Sequence, residues 1–403
     1  MKRGLFLLLI ALAILVVAIG GFAQNPASTA KGTILAPPSS HIQGPWKVRT
    51  PLLIFIPDSS IHPDIPNGET PASIACIYGV TAPTSGCPKN GTLLPTGGAK
   101  AIAVVEYGHN TTVQSDMNAF TTHFGLPAIT ITEICSGQPP PCPTNDGSGW
   151  DLETALDVQW AHSMAPNAKI IISEFVNDPF TDGAESAAGA AVAAAGGGEV
   201  SNSFGYGGEF QGELQNDLDM QTPSVVYFAS AGDSGLGADY PSVSPFVVSA
   251  GGTQIIRDSN GNFQGVEDCW NGSGGGLSSM EAVPSYQFII TNLVGPKRGT
   301  PDLAADADPA SGVLVYSTTG CGGFCQVGGT SVSSPVLAGI VNAAGSFFNS
   351  THAELTKTYL EYQNPLQWKT NFYDIVTGNN GAPAKFGWDE CTGIGSPRKL
   401  AGL

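Results

Sequence analysis

Positive charge is scarce in this sequence. Its 403 residues include 16 lysines and arginines against 33 aspartates and glutamates, a formal net charge of −17 at pH 7. A chain so poor in bases has no stripe with which to hold nucleic acid or an anionic membrane surface, so both partner classes are excluded. Charge of either sign is sparse, at 12% of residues, and 42% hydrophobic residues describe a folded body rather than a disordered one. Few bases also mean little build-up of positive charge once carboxylates protonate, which suits an acidic medium. Beyond the N-terminus there is no apolar run of membrane-spanning length and no internal repeat. Nor does CGGFC at 321–325 have a second Cys or His pair at zinc spacing.

The N-terminus itself reads MKRGLFLLLIALAILVVAIGGFAQ: two bases, an apolar run from Leu5 to Ile19, then the small-residue pattern Gly21-Phe22-Ala23. That is the pattern of a secretory signal over 1–23, which implies a secreted, extracellular protein with no membrane attachment after cleavage; an uncleaved anchor is the alternative, since the run approaches spanning length, and a monomer is expected. Export agrees with eight cysteines, an even number. Cys76 and Cys87, Cys135 and Cys142, and Cys321 and Cys325 lie near enough in sequence to close local loops, which leaves Cys269 with Cys391. Residues 24–66 are rich in proline and lack helical periodicity, so they are expected to form a short leader or extended arm before the main domain, 67–403. Glycosylation sequons begin at Asn90, Asn110, Asn271 and Asn349.

Beyond Gly97 the pattern alternates. AIAVVEYG, AKIIISEFV and SVVYFASAG are apolar enough to be buried strands, and between them TTVQSDMNAFTTHFG and GAESAAGAAVAAAGG read as helices. Apolar strands separated by helices predict an α/β fold with a doubly wound, mainly parallel sheet covered on both faces. Chemistry in such sheets gathers on loops at the strands' carboxyl ends, where SAGDSG follows SVVYFA.

GGTSVSSPV, residues 328–336, places Ser331 on a turn without bulk in front and with Pro335 opening a helix through VLAGIVNAAG behind. Backbone N–H groups at such a place can face a developing negative charge. A serine nucleophile needs a base. Six histidines are present, His41, His62, His109, His123, His162 and His352, and only His109 directly follows a strand. The other choice is a carboxylate. WDLETALDVQWAHSMAPNAK carries Glu153 and Asp157 four apart, on one face of a helix. The same interval recurs elsewhere, for example at Glu174/Asp178 and Asp302/Asp306, so the context matters more than the spacing. Leu152, Leu156, Val158 and Trp160 surround the pair, and both desolvation and a like-charged neighbour raise a carboxyl pKa. Two carboxyls sharing a proton can then act as a base.

GGTSVSSP, ETALD and SAGDSG together resemble the sedolisin family, the serine-carboxyl peptidases with a subtilisin-like fold. TPASIACIYGV, APNAKIIISEF, GGGLSSMEAVPSYQ, TPDLAADADPASG, and YDIVTGNNG with GWDECTGIGSP extend the resemblance from about residue 67 to the C-terminus. It implies that Ser331 is the nucleophile, Glu153 the general base, Asp157 the carboxylate that orients it, and Asp233 a protonated oxyanion donor, on polypeptide substrates in acid. It also implies one calcium ion, Ca2+, held by the carboxylates of Asp374 and Asp389 and the backbone carbonyls of Ile375, Lys385 and Gly387, hard oxygens that suit it. Two departures stand out. Phe204 in SNSFGYGGE occupies the place of a tryptophan, and the family's large N-terminal prodomain has only the 43 residues of the leader as its counterpart. A subtilisin-type enzyme using His109 and a catalytically silent binding relative are the rival readings.

Overall fold

In the computed structural model residues 31–41, 47–58, 67–139 and 141–403 are described, and the signal expected at 1–23 lies outside them. The N-terminal arm supplies β1 (Gly32–Leu35) and β2 (Leu53–Pro57). After helix α1 (Pro71–Ile77) the chain alternates as expected: β3 (Ala101–Tyr107), α2 (Val113–Phe124), β4 (Thr132–Cys135), α3 (Trp150–Met164), β5 (Lys169–Phe175), α4 (Ala184–Ala194), β6 (Gly198–Asn202) and β7 (Val225–Ser230). β8 (Val247–Arg257) and the strand Leu303–Asp306 complete a parallel array, with β9 (Phe263–Cys269) antiparallel to β8. The strand order is Leu303–Asp306, β8, β7, β6, β3, β5, β4.

β3 lies in the interior of this sheet, between β6 and β5, and all seven of its residues are buried. Its alternate side chains enter two different cores, as the two-residue period of a strand requires. Ile102 and Val104 pack with Ile170, Ile172, Val226 and Phe228 under α3 and the serine helix Thr330–Ala344. Ala101, Ala103 and Val105 face the opposite layer with α4. α3 is buried at every residue, because the serine helix packs directly on it. A side chain at Gly339 would bring a Cβ within 2.7 Å of the Met164 Cβ and 2.9 Å of the Ala161 carbonyl, so glycine sets how closely the two helices approach.

The described part of the arm is extended and packs on the main domain. β2 lies between β1 and the strand Gly323–Gly328, pairing Leu53 with Gly328 and Ile54 with Val327, and Val48 and Leu52 are fully buried. The expected boundary at residue 67 therefore does not divide two bodies in the described residues. All four cysteine pairs expected from spacing are bonded: Cys76–Cys87, Cys135–Cys142, Cys269–Cys391 and Cys321–Cys325. Asn110 is buried, and its amide donates to the Asp151 carbonyl, which removes it as a glycan acceptor in the folded protein. Among the described residues no helix is long and apolar enough to cross a membrane.

Candidate active site

At the strands' carboxyl ends the chain brings together Ser331, Glu153, Asp157 and Asp233, which are far apart in sequence. The serine helix begins at Thr330, not at Pro335 as the sequence suggested; Pro335 sits inside it. This has a local consequence. Proline has no N–H to bond the carbonyl four residues back, which here belongs to Ser331. That carbonyl instead accepts from the Ser203 hydroxyl at 3.3 Å. The same hydroxyl lies 2.9 Å from Asp157 Oδ1, so Ser203 links the nucleophile's backbone to the carboxylate on α3.

The free N–H groups at the start of a helix need partners. Thr330 N–H donates to Asp233 Oδ1 at 2.8 Å, and the Thr330 hydroxyl reaches the same oxygen at 3.0 Å. Ser331 N–H donates to the carbonyl of Pro51, in the arm, at 3.0 Å. Gly329 makes this possible. Its φ is +104°, and a Cβ there would lie 2.1 Å from the Pro51 oxygen and 2.5 Å from Asp233 Oδ2. Both oxygens thus border the space that the missing side chain leaves.

Glu153 and Asp157 project from α3 toward the serine, and both are fully buried. Burial raises the Glu153 carboxyl well above its usual range, and the neighbouring Asp157 charge adds to this. The Ser331 and Thr50 hydroxyls act in the opposite direction, although neither is within hydrogen-bonding geometry of a Glu153 oxygen. Burial likewise raises Asp157, against hydrogen bonding from Ser203 and Glu106. Glu106 completes the cluster. It lies at the end of β3, is fully buried, and is raised by burial and by the charges of Asp157 and Glu153. Three buried carboxyls with no cation between them cannot all be ionised, so they titrate as one unit. Sequence reasoning missed Glu106, because in AIAVVEYG it looks like an ordinary strand position; its one signal is a charge inside an otherwise apolar run.

Asp233 adds its charge to that unit's field and raises Glu153 further. Burial pushes the Asp233 carboxyl up to about 7, while the Thr330 donors and the Arg49 charge pull the other way. The residue as a whole is partly exposed, but Oδ2 is shielded and without a partner. With Oδ1 occupied by Thr330, the proton of the neutral acid belongs on Oδ2, which faces the space bordered by the Pro51 oxygen.

His109 is engaged elsewhere. Its Nδ1 lies 2.9 Å from Glu133 Oε2 and 3.1 Å from Glu174 Oε1. Phe204 is fully buried in an aromatic layer with Phe175 and Phe180. At the C-terminal end, Asp374 Oδ1 accepts from Gly387 N–H at 3.1 Å, and Asp389 Oδ2 accepts from Lys385 N–H at 3.0 Å. Burial raises both carboxyls, and Asp374 also feels the charge of Asp389. Two carboxyls therefore meet at the turn that carries Lys385 and Gly387, and their oxygens are hard donors of the kind a calcium ion takes.

Residues 144–388 match the subtilase family. Kumamolisin of Bacillus sp. (strain MN-32) is 28% identical over 336 residues, 75% of this chain and 59% of that protein. Sedolisin of Pseudomonas sp. (strain 101) is 26% identical over 374 residues, 82% and 60% respectively. Tripeptidyl-peptidase 1 of Dictyostelium discoideum is 28% identical over 329 residues, 70% and 50%. The chain thus spans about half to three-fifths of the length of these relatives. Among solved structures, Pseudomonas sedolisin, a serine-carboxyl proteinase, in complex with two molecules of pseudo-iodotyrostatin shares the fold at a TM-score of 0.67 and 22% identity, over 84% of this chain and 97% of that one.

Proposed function

The chain belongs to the subtilase family, and from that premise we propose that it is a secreted, acid-active serine-carboxyl peptidase of polypeptide substrates. Ser331 is the nucleophile. Its proton passes to the carboxyl unit through Glu153, with Asp157 raising the Glu153 pKa and Glu106 sharing the unit's charge. The Ser331 N–H and the Oδ2 proton of Asp233 hold the oxygen of the tetrahedral intermediate. Only the neutral form of Asp233 can donate that second bond, so the rate falls as pH rises through its pKa.

One observation carries this reading. Ser331 N–H already holds a peptide carbonyl, that of Pro51, beside a shielded carboxyl oxygen whose partner oxygen is fully bonded. His109 Nδ1 lies against Glu133 and Glu174 instead, which supports a carboxyl base over His109. The test is Ser331→Ala, assayed on acid-denatured protein near pH 4. Cleavage must vanish, and undiminished cleavage by the variant refutes the reading.

Calcium belongs to the same proposal. Asp374 and Asp389 would hold the ion with the carbonyls of Ile375, Lys385 and Gly387, and it would neutralise the two carboxylates and fix the C-terminal turn. The nearby Cys269–Cys391 bond closes a long loop onto this region, whose small core contains Ile375 and Ala384.

A further inference from the structure

The last two strands of the sheet, β5 and β4, bring a second group of polar side chains together beside the end of β3. β4 and β5 are parallel, with Glu133 opposite Ile172 and Cys135 opposite Glu174. The two-residue period of a strand therefore puts Glu133 and Glu174 on one face of neighbouring strands. His109, in the turn that follows β3, points its Nδ1 between them, 2.9 Å from Glu133 Oε2 and 3.1 Å from Glu174 Oε1. All three donor atoms lie within 4.8 Å of one another. The Glu174 side chain is only 3% exposed, whereas those of His109 and Glu133 are 26% and 31% exposed, so the group is open to solvent on one side.

The backbone beneath the three side chains is tied down. The Cys135–Cys142 bond fastens the end of β4 to the segment that follows it. In that segment the Pro143 carbonyl accepts from His109 N–H at 2.8 Å, and Asn145 N–H donates to the His109 carbonyl at 3.0 Å. Ser136 N–H donates to the Glu174 carbonyl at 2.8 Å. A site held in this way has little left to order when it binds. Its charge, however, is unbalanced. Among the described residues His109 is the only ion-pair partner of either glutamate. A single imidazolium offsets one negative charge of the two. A divalent cation would offset both and would also accept the lone pair of Nδ1.

We propose that His109 Nδ1, Glu133 Oε2 and Glu174 Oε1 form a binding site for a divalent transition-metal ion of the zinc class, with water as the fourth ligand. One imidazole nitrogen with two carboxylate oxygens suits zinc, whereas calcium takes six to eight oxygens. Around a tetrahedral zinc with bonds of about 2.0–2.2 Å the ligand atoms stand about 3.3–3.5 Å apart. Opening the present contacts by a few tenths of an ångström therefore admits the ion. The Cys135 and Cys142 sulfurs also lie close to Glu174, but bonded to each other they offer no thiolate. Binding replaces a proton on Nδ1 by the metal and releases that proton to solvent. The site is distinct from the calcium turn at Asp374 and Asp389, and it holds whether or not the chain is a peptidase.

The experiment uses the full chain, freed of metal with a chelator, returned to saturating calcium at neutral pH, and titrated with zinc chloride by calorimetry. One zinc should bind per chain, and cobalt(II) in its place should give the visible absorption of a four-coordinate nitrogen-and-oxygen site. Loss of a group that only supports a metal ligand weakens binding about 10- to 100-fold. His109→Ala and Glu133→Gln, which remove ligands, should each weaken zinc at least about tenfold, and Asp374→Asn should leave it unchanged. Zinc should raise the melting temperature of the parent and not that of His109→Ala. Glu133 lies partly exposed on the edge strand β4, so its variant keeps the test open if the histidine variant does not fold by circular dichroism. A parent that takes up no zinc saturably, or parent-like affinity in a folded His109→Ala or Glu133→Gln variant, overturns the site. Loss of zinc binding in Asp374→Asn, or its displacement by excess calcium, places the ion at the C-terminal turn and overturns it equally.

Discussion

Asp233 allows the sharpest test, because its two oxygens have different tasks. Oδ1 accepts from the Thr330 N–H and hydroxyl, and shielded Oδ2 must carry the proton that meets the substrate oxygen. Asparagine fits this division. Its carbonyl can take the place of Oδ1 and its NH2 that of Oδ2, so Asp233→Asn keeps an oxyanion donor that does not titrate. In the parent the carboxyl is pushed up to about 7 by burial, against Thr330 and Arg49. One unit above that pKa about a tenth of the molecules keep the proton, so the parent's kcat at pH 8 should be about tenfold below its acid value. Asp233→Asn should lose that alkaline fall while keeping its acid rate within about tenfold. Asp233→Ala has no donor and should lose about 10²- to 10³-fold at every pH. The assay is kcat on a fluorogenic peptide from pH 3 to pH 9, with circular dichroism to show that each variant stays folded. An alkaline limb in Asp233→Asn that coincides with the parent's, or an alanine variant within tenfold of the parent, would refute the role given to this residue.

Two further outcomes follow from the same charges. Burial holds Glu185 at about 8 and Glu354 at about 7, well above an unfolded carboxyl near 4, so between about pH 4 and 8 the folded state binds more protons than the unfolded one. Stability is therefore full below the unfolded pKa and is lost as pH rises through the folded ones; melting temperatures should fall from pH 4 to pH 8, and a rise across that range would contradict it. Glu69, held below the usual range by Lys89 and Arg257 despite its burial, works in the opposite sense, losing its contribution only as pH falls below about 4. At the C-terminal turn, calcium at 100 times its Kd should stabilise the fold by about 2.7 kcal/mol. Chelation should lower the melting temperature in the parent and not in Asp374→Asn, and an unchanged parent, with no bound calcium detected, would remove the ion from that turn.

Much of this protein was legible in order along the chain. The runs that became β3, β5 and β7 are apolar at every step, as strands covered on both faces must be, and the helices between them begin and end at glycines or polar turns that the sequence displays. Cysteine spacing indicated the four disulfides because three of the pairs are local and the fourth was what remained. Ser331, Glu153, Asp157 and Asp233 were recognisable as motifs, each within a few residues of sequence.

What the sequence by itself determined was a doubly wound α/β body and the segments that carry its chemistry. The tertiary structure alone decided three things. Glu106 joins the carboxyl unit because β3 ends beside α3, and no local pattern separates a functional buried acid from any other strand residue. The serine helix begins at Thr330 because Asp233 and Pro51 take up its first N–H groups, partners that lie about 100 and 280 residues away in the chain. The proline-rich arm reads in sequence as a leader or an extended arm, and where it lies was decided in three dimensions, because the edges it pairs with are built only when residues 203–205 and 323–328 come together. Periodicity and turn chemistry are local and survive in one dimension; burial, pKa and strand pairing depend on which distant groups share a space.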